Sequence, residues 1–324
     1  MHKIVLAGKL TADAKALFRT KCVGKYEVVD ISSSAEIPSI RDAEYIVTRG
    51  IPFMGPEIDH LSPNVRLIHR WGVGYDTVDI EAAAKKDIAV AICTGGNAQP
   101  VAEMTVLLML ASYRKLPALI ARAKEGTKEK EDIIAQSYLL QGKKVGLIGL
   151  GNIGSKVARM VQGFGASVQY YDAFRTTEEN EAAWNVTYVP LEELLKTSDI
   201  VSIHVPLMDS TRHMIGKAEF ALMKPSALLV NTARGGVVDT EAMIAALDSG
   251  EIAGAALDTI ENEPLPAGHP VFQHPKILLT PHGAGNTCDN TRNMVEIIMN
   301  NIEVMETGGM PSRKYIVNSD LLAH

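Results

Sequence analysis

The sequence of 324 residues has few cysteines, no excess of basic residues and no long apolar run. Its cysteines, Cys22, Cys93 and Cys288, lie far apart, which argues against a disulfide framework. The longest apolar run, Val106–Ala111, is too short to cross a bilayer, and the first residues lack the apolar core of a signal peptide. These absences favour a soluble protein of a reducing compartment, and we expect a cytoplasmic location without a membrane partner.

Basic residues are in the minority, because 32 Lys and Arg stand against 38 Asp and Glu and give a formal net charge of −6. A mildly acidic chain without a basic block is a poor ligand for nucleic acid, so no nucleic-acid partner is expected. No group of His, Cys and Asp has the spacing of metal ligands, so no metal is expected either. The hydrophobic share of 46% is typical of a globular enzyme.

Short β-branched runs alternate with helical patterns along the whole chain. The first series of predicted strands comprises Ile4–Gly8, Tyr26–Ile31, Tyr45–Thr48, Val65–Arg70 and Ile88–Ile92. A helix is predicted over Val101–Leu116, with its end marked by Pro117. The second series comprises Lys143–Leu150, Ala166–Asp172, Asp199–Val205, Ala227–Thr232, Ile252–Asp258 and Lys276–His282. Continuous apolar strands separated by helices predict an α/β protein with two buried parallel sheets.

A glycine pattern follows the first strand of the second series and begins a helix. Gly149 permits a tight turn, Gly151 lets the backbone approach a pyrophosphate, and Gly154 allows close packing of helix on strand. Asn152 and Ile153 would present backbone amides to the phosphates at the helix N-terminus. The glycines alone are a weak signal, but between a strand and a helix they indicate a dinucleotide site.

The acidic residue expected about 20 positions after such a turn is present. Asp172 lies 23 positions after Gly149, where its carboxylate would accept a hydrogen bond from the ribose 2′-OH and repel a 2′-phosphate. This favours NAD over NADP. Arg175 leaves the choice open, because it could pair with a 2′-phosphate if Asp172 turned aside.

Three ionisable residues follow three successive strands of the second series. Arg234 follows Ala227–Thr232, Glu263 lies in the loop after the next strand, and His282 ends the last. Each alone has an ordinary explanation as a helix cap or a solvated loop residue. Together they indicate a site, because the carboxyl ends of parallel strands meet at one edge of a sheet.

The three side chains suit the reduction of a 2-keto acid. Hydride addition at C2 places negative charge on the carbonyl oxygen, and His282 could protonate that oxygen. Glu263 would hold the other ring nitrogen and favour the protonated ring. Arg234 would bind the substrate carboxylate and polarise the carbonyl. In the reverse direction neutral His282 would act as the base.

The sequence resembles the D-isomer-specific NAD-dependent 2-hydroxyacid dehydrogenase family. The matching segments span most of the chain in the family's order: Gly72–Asp79, Asn97–Leu110, Gly142–Gly154, His204–Gly216, Leu228–Asp239, Gly254–Pro264 and Leu278–Thr287. The resemblance implies a flavodoxin-like substrate domain of residues 1–98 and 288–324, with a Rossmann-type coenzyme domain of residues 99–287 inserted into it.

The resemblance also implies site residues and an assembly. Arg234, Glu263 and His282 would be catalytic, and the backbone amides of Val73 and Gly74 would bind the substrate carboxylate. Further coenzyme contacts implied by the family are Thr105, His204, Val205, Pro206, Thr232, Ala233, Asp258 and Gly285. The family usually forms homodimers through the coenzyme domain. The segment Thr127–Lys144 lacks the family's usual tryptophan there, and Trp71 is unusually large for its place, where it would narrow the pocket or pack in the core.

Two arginines bear on the substrate. Arg49 and Arg70 each end a strand of the first series, where the family's phosphoglycerate dehydrogenases carry arginines. Two additional cations suggest a substrate with a second anion, such as 3-phosphoglycerate, unless they pair with surface acids. Reduction of glyoxylate or hydroxypyruvate is the alternative. More distant alternatives are formate or phosphite oxidation and an NAD-sensing protein related to the family's corepressor.

Overall fold

The computed structural model describes residues 1–128 and 130–322, and the chain divides into two compact units. The first unit comprises Met1–Asn97 and Asn286–His324, and the second comprises Ala98–Gly285. Each unit is built on a parallel sheet, so the predicted α/β class is confirmed.

The first unit contains a five-stranded sheet in the order β2-β1-β3-β4-β5. Its strands are β1 His2–Gly8, β2 Tyr26–Ile31, β3 Tyr45–Arg49, β4 Leu67–Arg70 and β5 Ala89–Ala91. Its helices are α1 Ala12–Cys22, α2 Gly55–Asp59, α3 Ile80–Lys85 and, at the far end of the chain, α12 Cys288–Glu306. All paired strands run parallel.

Both faces of this sheet are buried, which explains why its strands are apolar throughout. On β1, Ile4 and Leu6 belong to the core on one face, and Val5 and Ala7 belong to the core on the other. Successive side chains of a strand point to opposite faces, so a sheet covered twice needs apolar residues at every position.

The second unit contains a seven-stranded parallel sheet in the order β12-β11-β10-β9-β6-β7-β8. Its strands are β6 Lys144–Ile148, β7 Ser167–Tyr171, β8 Thr187–Tyr188, β9 Ile200–Ile203, β10 Leu228–Asn231, β11 Gly254–Leu257 and β12 Ile277–Leu279. Its helices are α4 Ala98–Tyr113, α5 Leu116–Lys124, α6 Glu131–Ile134, α7 Gly154–Gly163, α8 Glu178–Trp184, α9 Leu191–Thr197, α10 Lys217–Phe220 and α11 Thr240–Ser249. The strand order reverses between β6 and β9, and ligands of open α/β sheets bind beside such a reversal.

Two details differ from the sequence prediction. Helix α4 ends at Tyr113, and Pro117 lies in the first turn of α5. Proline is tolerated there because the first backbone N–H groups of a helix have no partner within it. Strand β12 ends at Leu279, so His282 lies three residues beyond the strand.

Among the described helices, none is by itself long and apolar enough to span a membrane. Helices α4 and α5 meet the criterion only as a pair, with a bend of 62° between them, and α4 is largely buried. Within residues 1–128 and 130–322, no cluster of three or more His, Cys, Asp and Glu could hold a metal ion. The thiols of Cys22 and Cys93 are buried, and that of Cys288 is exposed.

A buried histidine joins β4 to α12 in the first unit. His69 Nδ1 donates to the carbonyl oxygen of Arg70 at 3.0 Å, and its Nε2 accepts from Asn301 Nδ2 at 3.0 Å. Both side chains are almost completely buried. Burial lowers the pKa of His69 from 6.5 to about 4, so the ring is neutral in the folded protein near neutral pH.

We expect acid to weaken this contact. Because the pKa of His69 is lower in the folded than in the unfolded chain, the unfolded chain binds more protons as the pH falls from about 6.5 towards 4. His69 alone should lower the free energy of unfolding by ~2 kcal/mol near pH 5. Urea unfolding of wild type and His69→Gln near pH 7.5 and pH 5 measures this, since the variant should lose less stability. Equal losses of unfolding free energy in both proteins would contradict this effect of His69.

Candidate active site

Three neighbouring strands of the second unit end at the same level. Asn231 of β10 pairs with Leu257 of β11, and Leu257 pairs with Leu279 of β12. Arg234 and His282 each lie three residues beyond these positions, and Glu263 lies in the loop after β11. The structure therefore brings the loops that carry the three predicted catalytic residues to one edge of the sheet.

His282 and Glu263 form a close pair. His282 Nδ1 lies 2.5 Å from Glu263 Oε1, and the two side chains are 48% and 35% exposed. Because Nδ1 bonds the carboxylate, Nε2 is the ring nitrogen that can exchange a proton with a ligand. A histidine oriented by a carboxylate in this way is a suitable acid–base group.

His282 has an uncommon backbone conformation that Asp258 holds in place. Its φ is +49°, in the left-handed region. The His282 N–H donates to the Asp258 carbonyl at 2.8 Å, and the Gly283 and Ala284 N–H groups donate to the Asp258 carboxylate at 2.9 and 2.8 Å. Thr280 Oγ1 donates to the same carboxylate, at Oδ1, at 2.6 Å. Such strain persists only where its surroundings fix it, and it is frequent in active sites.

The carboxylate of Asp258 is thus occupied by the loop of His282 and is only 1% exposed. The family resemblance implied a coenzyme contact for Asp258, and that role stays a prediction. The loop-holding role was missed, because hydrogen bonds to backbone amides leave no sequence pattern beyond an acid at a strand end.

A second histidine–carboxylate pair adjoins the Glu263 loop. His213 Nε2 lies 2.6 Å from Glu261 Oε1 and links the loop after β9 to the loop after β11. Asn262, between the two glutamates, has a φ of +58°. A Cβ on Gly235 would lie 2.0 Å from the Ile260 carbonyl carbon, so only glycine lets the loop after β10 pack here. No local sequence pattern marks the His213–Glu261 pair, since its members lie 48 residues apart.

Arg234 lies in extended backbone between Ala233 and a short 3₁₀ turn, Gly235–Val237. Its carbonyl oxygen accepts from Asn231 Nδ2 at 2.9 Å, and its Nη1 donates to the Ala233 carbonyl at 2.8 Å. The backbone is therefore fixed from both sides. A guanidinium has five N–H donors in a planar fork, a geometry that suits two-point binding of a carboxylate.

The glycine turn after β6 has the shape needed for a dinucleotide. Gly149 has a φ of +98°, and a Cβ there would lie 2.9 Å from the carbonyl group of His204. A Cβ on Gly154 would lie 2.2 Å from the Gly149 oxygen, whereas one on Gly151 would meet nothing within 4 Å. The fold therefore requires glycine at Gly149 and Gly154, whereas Gly151 leaves open space beside the backbone. This fits the close approach of a pyrophosphate to the N-terminus of α7.

Asp172 lies directly after β7 and is fixed to this turn. Its Oδ2 accepts from the Leu150 N–H at 2.8 Å, and its Oδ1 accepts from the Phe174 N–H at 3.0 Å. Asn152 and Ile153 lie between the glycines of the turn, directly before α7. The carboxylate and the backbone amides of the turn are thus placed together, as an NAD site of this fold requires.

The other predicted coenzyme residues lie in the loops after β9 and β10 and on α4. Thr105 Oγ1 of α4 and Thr232 Oγ1 after β10 are 2.8 Å apart and buried. Thr211 Oγ1 donates to the Pro206 carbonyl at 2.6 Å and shapes the loop after β9. The Ala233 N–H donates to Asn231 Oδ1 at 3.0 Å.

His204 and Val205 begin the loop after β9, beside Gly149. His204 Nε2 lies 2.9 Å from Ser202 Oγ, and burial lowers the pKa of His204 to about 3, so the ring is neutral. Gly285 is the last residue of the second unit.

The first unit carries the predicted substrate loop after β4. Arg70 ends this strand, and its Nε donates to the Gly74 carbonyl at 3.0 Å. The Cys93 N–H donates to the Gly72 carbonyl at 2.8 Å. These bonds fix the backbone on either side of Val73, where exposed amides are needed for a carboxylate.

Arg49 ends the neighbouring strand β3. Its Nη2 donates to Asn286 Oδ1 at 2.8 Å, and desolvation lowers the pKa of its half-buried guanidinium. Trp71 packs against Phe18 in the core, with ring centroids 6.3 Å apart, which accounts for its size.

The chain is similar in sequence to known dehydrogenases. Residues 106–284 match the family model described as D-isomer specific 2-hydroxyacid dehydrogenase, NAD binding domain. The glyoxylate reductase of Korarchaeum cryptofilum is 34% identical over 90% of this chain and 87% of its own length. The D-3-phosphoglycerate dehydrogenase of Methanocaldococcus jannaschii is 35% identical over 89% of this chain and 54% of its own length.

A solved structure of NAD-dependent formate dehydrogenase from Staphylococcus aureus in complex with NAD superposes with a TM-score of 0.86. It is 27% identical, and the match covers 97% of this chain and 98% of that one.

Proposed function

Because the chain belongs to the D-isomer-specific 2-hydroxyacid dehydrogenase family and uses NAD, we propose that it reduces a small 2-keto acid of the glyoxylate and hydroxypyruvate type. The observation that carries this proposal is the His282–Glu263 pair, with Nδ1 and Oε1 2.5 Å apart, at the sheet edge that also carries Arg234. The similarity to a glyoxylate reductase over 90% of the chain supports the substrate class.

The residues divide the chemistry between them. NADH, when bound, would supply the hydride. Protonated His282 donates its Nε2 proton to the carbonyl oxygen as negative charge develops there. Glu263 accepts from the Nδ1–H and keeps the ring oriented, and Arg234 binds the carboxylate of the keto acid with its planar fork. In the oxidation direction neutral His282 removes the proton from the hydroxyl group.

The groups that would hold NAD are those of the glycine turn. The backbone amides of Gly151–Ile153 and the N-terminus of α7 suit the pyrophosphate, and Asp172 suits the ribose hydroxyls. In the first unit, the backbone amides of Val73 and Gly74 would donate to a substrate carboxylate.

A phosphorylated substrate, 3-phosphoglycerate, is the second candidate. Thr48 of β3 pairs with Arg70 of β4, so Arg49 and Arg70 end neighbouring strands of the first unit's sheet one residue out of register. A half-buried guanidinium whose pKa is lowered by desolvation, as for Arg49, is stabilised by an anion beside it. This favours a second negative group on the substrate.

Arg49→Gln separates the two candidates. With glyoxylate or hydroxypyruvate as the natural substrate, the variant should change KM for hydroxypyruvate and phosphohydroxypyruvate by similar factors, within about threefold. With a phosphorylated substrate, KM for phosphohydroxypyruvate should rise roughly tenfold or more and KM for hydroxypyruvate should not. Steady-state NADH oxidation measures both values.

Arg66→Gln is the matched control for that experiment. Arg66 precedes β4 at the opposite end of the strand and donates to the Tyr45 hydroxyl at 3.0 Å. It should leave the ratio of the two KM values unchanged. Arg49 is preferred to Arg70 for this test, because Arg70 also holds the Gly74 carbonyl.

The proposal extends to domain roles, assembly and location. The first unit would supply groups that bind the keto acid, and the second would bind the coenzyme and supply the catalytic residues. Helix α5 has no buried residue, and its neighbourhood exposes the apolar side chains of Leu107, Ile120, Ile134 and Leu139, which supports a homodimer through the second unit. Sedimentation should then give twice the mass of the 35.0 kDa chain.

Free thiols and dependence on NAD support a cytoplasmic location.

A further inference from the structure

The choice between NAD and NADP depends on where Arg175 is held. Asp172 is fixed beside the glycine turn, where it repels a 2′-phosphate, but Arg175 follows it by three residues. An arginine close to this acid is the residue with which such folds accommodate the 2′-phosphate of NADP. The position of the Arg175 side chain therefore decides whether a favourable partner for that phosphate exists.

The Arg175 side chain is bound by a carboxylate of α8. Its Nε donates to Glu181 Oε1 at 2.7 Å and its Nη2 donates to Glu181 Oε2 at 2.8 Å. The guanidinium also lies over the ring of Tyr188, 5.1 Å from the centroid. A two-point bond to a carboxylate combined with stacking on an aromatic ring is a strong arrangement for arginine.

Glu181 is itself well fixed. Its side chain is 12% exposed, and the Tyr170 hydroxyl donates to Oε1 at 2.7 Å. Hydrogen bonds from Arg175 and then from Tyr170 lower the pKa of Glu181 to about 2, so the carboxylate is ionised at any working pH. Moving Arg175 to a phosphate would leave this shielded carboxylate without its cation.

We propose that Glu181 is a specificity-determining residue, which favours NAD by holding Arg175 away from the 2′ position of the adenosine ribose. Asp172 repels a 2′-phosphate. Glu181 binds the Arg175 guanidinium, which would otherwise be able to pair with that phosphate. The selection against NADP is thus shared between a residue of the site and a residue that acts through Arg175. Sequence alone did not reveal this role, because Glu181 lies outside the glycine turn and the strand that follows it.

The test is equilibrium binding of NADPH and NADH to Glu181→Gln, measured by calorimetry without a keto acid. Glutamine keeps the shape and still accepts from Tyr170, but it loses the charge-assisted fork to Arg175. The dissociation constant for NADPH should fall roughly tenfold, while that for NADH changes by less than about threefold. The ratio of kcat/KM with the two coenzymes should shift in the same direction.

Two control variants separate release of Arg175 from a general loss of negative charge. Glu179→Gln removes the same charge two residues away, on an exposed side chain of the same helix, and should change NADPH binding by less than about threefold. The double variant Glu181→Gln with Arg175→Ala should lose the gain in NADPH affinity.

Unchanged NADPH binding in Glu181→Gln, or a gain that persists without Arg175, would overturn the proposal. If Glu181→Gln does not fold, Glu181→Met serves instead, because it has a similar size but no carboxylate to hold Arg175, and the same outcomes apply. The inference rests on the NAD site of the proposed function and not on its substrate. Failure of wild type to bind NADH would refute that function, whereas normal NADH binding with unaltered NADPH binding refutes only the role of Glu181.

Discussion

Replacement of His282 by asparagine is expected to lower kcat for keto-acid reduction by roughly 10²–10⁴. The asparagine amide can still donate to Glu263 in place of Nδ1, but it has no group that gives up a proton where Nε2 stands. Because His282 lies beyond β12 and not in the glycine turn, the dissociation constant for NADH should stay within about threefold of wild type. Stopped-flow or steady-state NADH oxidation gives the rate, and calorimetry gives the affinity.

His274→Asn is the matched control for this variant. His274 precedes β12 at the opposite end of the strand and also faces a carboxylate, with Nε2 3.3 Å from Asp248 Oδ1. Its replacement should leave kcat close to wild type. An active His282→Asn enzyme would remove His282 from the acid–base role, and an equal loss in both variants would point to a general structural defect.

Replacement of Arg234 by lysine should lower kcat/KM for the keto acid by roughly 10²–10³, although the charge is retained. The reason is geometric, since a lysine ammonium cannot make the two parallel bonds that a guanidinium makes to a carboxylate. A loss of 10²–10³ corresponds to about 3–4 kcal/mol, which is towards the lower end of the roughly 3–6 kcal/mol expected for two charge-assisted hydrogen bonds, because the lysine keeps the charge. NADH affinity should again be preserved.

Two further measurements make the Arg234 prediction specific. Arg159→Lys changes an exposed arginine of α7 in the same way and should have little effect on kcat/KM. Added guanidinium should restore part of the activity of Arg234→Ala, because the fork can then be supplied from solution. A lysine variant with wild-type kcat/KM would show that Arg234 does not bind the substrate carboxylate.

The parallel sheets were predictable because a sheet that is buried on both faces needs strands with apolar residues at every position. Ile4–Ala7 are apolar at every position, and the strands of both series share this property. The glycine turn was equally readable, since Gly149 and Gly154 have no room for a side chain. In both cases the residue types within one short segment of the sequence are enough to predict the local structure.

Other features depend on contacts that no local pattern encodes. Pro117 was taken as the end of a helix and instead begins the next one, because proline suits both places. His282 was placed at the end of β12, yet the ladder stops before Pro281, which has no N–H to donate. The bonds of Asp258 to the His282 loop and of Glu181 to Arg175 join residues brought together only by folding.

The most direct test of the central claim is NADH oxidation by the wild-type protein with glyoxylate, hydroxypyruvate, phosphohydroxypyruvate and pyruvate, each at several concentrations. Formate with NAD is measured alongside, since a formate dehydrogenase shares the fold. We predict turnover of 2-keto acids, with the highest kcat/KM for glyoxylate or hydroxypyruvate and none for formate. Tight NADH binding without turnover of any 2-keto acid, or reduction of NAD by formate, would contradict the account.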